Sequence, residues 1–101
     1  MRVIYHPDAE AELIEAARFY ENRVSGLGEQ FLNDFEAAVT AITEAPEQWQ
    51  LVEGDLRRYL LRSFPYGVYY RVKGDELRIL VVKHHSRHPE YWKYRLGEQG
   101  V

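Results

Sequence analysis

One short run of the chain, ILVVKHHSRHPEYW at residues 79–92, brings imidazoles, guanidinium groups and phenols together. An imidazole exchanges its proton near neutral pH, and a guanidinium grips phosphate oxygens with two parallel hydrogen bonds. Cleavage of an RNA phosphodiester needs those two groups, with a phenol to position or transfer a proton. His85, Arg87 and Tyr91 are the candidates for that chemistry. A histidine that is merely hydrogen-bonded within the fold is the competing reading for each imidazole. His84, His85 and His88 also invite a metal reading. Adjacent histidines on a strand point to opposite faces, however, and the chain has no cysteine, so neither a metal nor a cofactor is expected.

The second set of candidates lies upstream, in RRYLLRS (57–63) and YGVYYRV (66–72). Side chains alternate across a strand, so Val68, Tyr70 and Val72 share one face and Tyr69 and Arg71 the other. The same parity puts Tyr59 and Leu61 inward and Arg58, Leu60 and Arg62 outward. Arg58, Arg62, Tyr69 and Arg71, joined by His84 or His85 with Arg87 at the end of the next strand, are expected to converge on one exposed sheet face. Guanidinium groups among aromatic rings suit RNA or DNA, through phosphate pairing and base stacking. Arginine on the solvent face of a half-buried sheet is the plainer alternative.

Charge is distributed to match. The net charge is −3, yet residues 1–56 hold three Lys/Arg against twelve Asp/Glu, while residues 57–95 hold ten against three. One part of an acidic molecule can therefore present a positive field.

The elements that must position these groups are legible from periodicity. RVIY at residues 2–5 is β-prone and leads into Pro7, which suits the first turn of a helix. Ala9, Leu13, Ala16, Ala17, Tyr20 and Val24 recur at helical spacing, as do Phe31, Leu32, Phe35, Ala38, Val39 and Ile42 after the break at Ser25, Gly26 and Gly28. Pro46 ends the second run, which gives an antiparallel helical hairpin. Strand periodicity begins at Arg57, with a hairpin turn at Lys73, Gly74 and Asp75. Ile79 to Val82 has no polar alternation, which predicts a strand covered on both faces. SRHPEYWKYR reads as a loop into a short aromatic helix, with Trp92 as its anchor. The expected fold is α+β: a small, antiparallel-rich sheet with the N-terminal helical hairpin on one face, in one domain spanning residues 1–101. No stretch approaches the roughly 20 apolar residues that span a bilayer, and no signal peptide is evident, so a cytoplasmic protein is expected. The absence of cysteine excludes disulfides and thiolate catalysis.

HPDAEAEL, RRYLLRSFPYGVYYRV and ILVVKHHSRHPEYW, in this order and spacing, resemble over nearly the full length the RelE/ParE superfamily of toxins from type II toxin-antitoxin systems, especially its ParE-like plasmid-stabilisation branch. The resemblance implies a growth-inhibiting toxin held in a hetero-oligomer by a cognate antitoxin. It offers two activities: poisoning of DNA gyrase without chemistry by the toxin, or ribosome-dependent cleavage of mRNA by an endoribonuclease. In the ribonuclease branch, basic residues on the sheet face hold the message. Here Gly67 stands where that branch places a phosphate-stabilising arginine, and Leu60 occupies another of its basic positions. Both departures favour gyrase poisoning as the expectation.

Overall fold

The first helix begins where the sequence places a proline. In the computed structural model, which describes residues 1–98, α1 spans Pro7–Arg23 and α2 spans Leu27–Glu44. Pro7 enters α1 without forfeiting a useful donor, since the first N–H groups of a helix lack intrahelical partners. His6 caps it, its Nδ1 accepting the Asp8 N–H at 3.0 Å. The turn between the helices runs through Gly26, whose φ of +89° lies in the left-handed region that glycine enters at little cost. Gly26 supplies no side chain to cap α2. Glu21 does so from α1 instead, its carboxylate accepting the N–H groups of Gly26 and Gly28 at 3.0–3.1 Å. A negative charge at a helix N-terminus also complements the dipole.

Five strands form one sheet: β1 Arg2–Tyr5, β2 Gln50–Glu53, β3 Leu56–Leu60, β4 Tyr66–Lys73 and β5 Glu76–His84. Their order is β1-β5-β4-β3-β2, with β1 parallel to β5 and every other pairing antiparallel. The α+β expectation holds, and β2 is an addition to it. Every residue of β2 is exposed, so no buried face marks it in the sequence.

The helical hairpin packs on one face of the sheet. Phe31, Phe35, Ala38 and Ile42 meet Tyr59, Val68, Tyr70, Leu77, Ile79 and Val82 in the main core, as strand parity requires. Complete burial of side chains such as Phe31, Ile42 or Leu77 stabilises the fold by roughly 1.5–3 kcal/mol each.

The other face is not left open. A bulge shifts the β4–β5 register so that Tyr69 faces Val81 and Tyr70 faces Ile79, with Leu80 the extra residue. Leu80 and Val81 therefore both turn away from the helices and join Leu56, Tyr69 and Trp92 in a second apolar cluster. Trp92 leads into a 3₁₀ turn at Lys93–Gly97, a tighter element than the helix expected there. The C-terminal segment thus covers part of the face on which the arginines were expected to stand free. No helix among the described residues is long and apolar enough to cross a membrane.

Candidate functional site

Two cross-strand rows line the uncovered part of that face. Leu60 pairs with Gly67 and Gly67 with Lys83; in the next row Arg58 pairs with Tyr69 and Tyr69 with Val81. Because Gly67 has no side chain, a gap opens between Leu60 and Lys83. The result is a groove of about 220 Å³ bounded by Arg58, Leu60, Gly67, Tyr69, Lys83 and His85. A methyl group on Gly67 would lie 3.2 Å from the Tyr69 ring and 3.5 Å from the Arg58 methylenes.

The groove is cationic. Lys83 is only 6% exposed, and its Nζ donates to the backbone oxygens of His84 at 3.0 Å and His85 at 3.5 Å. Burial, followed by the nearby guanidinium groups of Arg58 and Arg87, pulls the ammonium pKa below its ordinary value. Arg58 donates from Nη2 to Gln50 Oε1 at 2.6 Å and lies 5.9 Å from the centre of the Tyr69 ring. Its Nε is buried without a protein acceptor. Among the described residues, none of Arg58, Lys83 and His85 is paired with a carboxylate.

The other sequence candidates are placed elsewhere. Arg71 lies on the same face, but its Nη2 donates to the Leu96 carbonyl at 3.0 Å and so holds the C-terminal segment. Tyr69 is 6% exposed, packed against Trp92 at 5.3 Å between ring centres, and so forms a wall of the groove with little ring face to offer. Arg62 lies past the end of β3, in a separate depression with Trp49, Tyr59 and Leu60. The expected convergence of Arg58, Arg62 and Arg71 therefore fails. Parity assigns a face, but strand ends and a covering segment determine which side chains on it are free.

Arg87 and Tyr91 stand apart from the groove, against α1. The Arg87 guanidinium lies 3.8 Å from the Tyr91 ring centre and 3.5 Å from Glu12 Oε2. The Tyr91 hydroxyl donates to that same oxygen. Burial, then the hydrogen bond and charge of Glu12, pushes the phenol well above its ordinary pKa. His84 and His85 point to opposite sides, as strand alternation predicts. His84 faces Tyr66 across 5.1 Å and accepts the Ser86 N–H, whereas His85 lines the groove.

Two important residues were not singled out from the sequence. Lys83 could have been found, because it lies two residues before His85 and strand alternation puts both on the same side. Glu12 gave no local signal, since it reads as one more acid on an amphipathic helix. Glu12 Oε1 in fact accepts the Val82 N–H at 3.0 Å and Arg95 Nη1 at 2.8 Å. It satisfies the edge of β5 where that strand runs past the end of β1.

Comparison with known proteins places these features in a family context. Residues 3–89 match the family model described as the ParE toxin of the type II toxin-antitoxin system, parDE. Toxin ParE2 of Mycobacterium tuberculosis, in strains CDC 1551 / Oshkosh and H37Rv alike, is 32% identical over 89 residues, covering 87% of this chain and 85% of the relative. A solved structure described as the chromosomal ParDE TA system from P. aeruginosa superposes with a TM-score of 0.68 at 22% identity, covering 83% of this chain and 95% of the other. That likeness concerns the fold.

Proposed function

The chain belongs to the ParE toxin family of type II toxin-antitoxin systems, and from that membership we propose that it arrests growth by binding DNA gyrase, without cutting RNA. A cognate antitoxin holds it inactive until released. The observation that carries this reading is the engagement of Tyr91 and Arg87 with Glu12.

Cleavage of a phosphodiester requires a proton acceptor, a proton donor and cations around the developing phosphorane. Tyr91 is tied to a carboxylate and holds its proton tightly, which removes it as a base near neutral pH. Arg87 faces the same carboxylate, whose negative charge opposes a phosphate at that spot. In the groove, Gly67 and Leu60 provide no cation. Loss of one positioned donor to a developing oxyanion costs roughly 3–4 kcal/mol of transition-state stabilisation. His85 remains in the groove beside two other titratable groups that are already engaged by the fold: the Lys83 ammonium donates to two backbone carbonyls, and the Tyr69 ring packs against Trp92.

The test uses purified protein in two reactions. Supercoiling by gyrase should be inhibited and then restored by the antitoxin, while mRNA in a reconstituted translation system should stay intact. Codon-phased cleavage on ribosomes, lost on changing His85, with gyrase unaffected, would replace this reading by the endoribonuclease one.

A further inference from the structure

We infer that the groove over Gly67 is a receptor for one acidic side chain of a partner polypeptide, with an apolar side chain of the same segment seated beyond Leu60. The inference deepens the family reading and rests on it, since the partner is taken to be the antitoxin. Three observations carry it.

First, the groove holds Arg58, Lys83 and His85 with no carboxylate among them. Among the described residues, eight other cations or imidazoles of this acidic chain, from Arg2 to Arg95, have found acidic partners or backbone oxygens. Lys83 satisfies its ammonium with two carbonyl oxygens only, and Arg58 Nε is buried with no acceptor. A buried donor without an acceptor is costly, and an oxyanion entering the groove would relieve that cost.

Second, the walls are apolar. Leu60 is half exposed and stands as a ridge between this groove and a second depression of about 330 Å³ lined by Trp49, Tyr59, Leu60 and Arg62. An acidic residue with an apolar neighbour, as an ordering peptide segment supplies, fills both sides of the ridge and buries Leu60.

Third, the face is poor in what a nucleic acid needs. Binding to phosphate backbones grows with the number of cations that displace counterions. The groove offers two, Arg58 and Lys83, and Lys93 of the adjoining C-terminal segment is already paired with Glu53 and Glu90. A single carboxylate fits this local charge better than a polyanion does.

The experiment titrates the antitoxin encoded beside this chain's gene into the wild-type protein and into Arg58→Gln, Lys83→Met, His85→Ala and Leu60→Ser, each first shown to be folded by circular dichroism. A short single-stranded oligonucleotide is titrated in parallel. The expected result is a loss of antitoxin affinity of about tenfold or more for Arg58→Gln and Lys83→Met, shrinking as salt is raised. Leu60→Ser should weaken binding without altering the salt dependence. Arg58 is partly exposed, so its variant keeps the test decisive if Lys83→Met fails to fold. Equal affinity of the wild type, Arg58→Gln and Leu60→Ser for antitoxin would overturn the groove while leaving the partner intact. Absence of any complex with the wild-type protein would overturn the family-level partner itself. Tight oligonucleotide binding that is lost in Arg58→Gln would assign the groove to nucleic acid instead.

Discussion

The guanidinium of Arg95 is clamped by the carboxylate of Glu12 through two hydrogen bonds, Nη1 to Oε1 at 2.8 Å and Nη2 to Oε2 at 3.1 Å, between side chains 4% and 10% exposed. The pair joins residues 83 positions apart and fixes the C-terminal segment to α1. Nη1 also donates to the Leu80 carbonyl at 2.8 Å, so a single guanidinium serves the helix and the free edge of β5.

Removing one partner of a buried pair strands the other charge. Arg95→Met and Glu12→Gln are each expected to lower stability by about 3–5 kcal/mol, and the double variant by clearly less than the two losses combined. Urea denaturation of the three variants checks this. A loss below about 1 kcal/mol in both single variants would reduce the clamp to an ordinary surface pair.

Tyr70 makes alkaline stability depend on pH. Its ring is fully buried, its hydroxyl donates to the Pro46 carbonyl at 2.6 Å, and burial pushes its pKa up to about 12. For an acid raised in the folded state, the unfolded chain ionises first. The stabilising contribution is therefore complete below pH 10 and is lost as pH rises from 10 towards 12. The loss should be on the order of 2–3 kcal/mol across that window. Comparing unfolding of the wild type and Tyr70→Phe at pH 8 and near pH 11.5 isolates it, since the slope should be shallower in the variant.

Gly28 of α2 lies directly against α1. A Cβ there would lie 2.6 Å from the Ala17 carbonyl oxygen and 2.9 Å from Glu21 Cβ, both backbone-anchored atoms. Gly28→Ala should cost about 1–3 kcal/mol through displacement of the hairpin. Gly97→Ala meets nothing within 4 Å and should be near neutral. Thermal melts of the two variants give the contrast, and equal melting temperatures would show that the hairpin yields without cost.

Expression without the antitoxin should slow bacterial growth, and co-expression of the antitoxin should restore it. Tyr91→Phe should retain the toxicity while losing about 1 kcal/mol of stability with its hydrogen bond to Glu12. Loss of toxicity in a stably folded, soluble Tyr91→Phe protein would indicate that the phenol acts on a substrate.

Local rules carried much of this molecule. Hydrophobic spacing places Phe31, Phe35, Ala38 and Ile42 on one face of α2, and alternation puts Val68, Tyr70 and Val72 against them. Pro7 and Gly74 mark a helix start and a hairpin because their backbone preferences act within a few residues. The family, too, is written in the order of three short segments. The site is different, because it depends on contacts between residues distant in sequence. The bulge at Leu80 changes the phase of β5, and the packing of Trp92 and Leu96 decides that Arg71 is held by the C-terminal segment while Arg58 borders the groove without a carboxylate partner. β2 escaped notice because an exposed edge strand carries no alternation of burial. Glu12 looks like any other helix acid until the fold brings Arg95, Tyr91 and the β5 edge to it. Outside the bulge at Leu80, sequence determined which residues face which side. Only tertiary packing decided which charges on those sides are spent on the fold and which remain available to a partner.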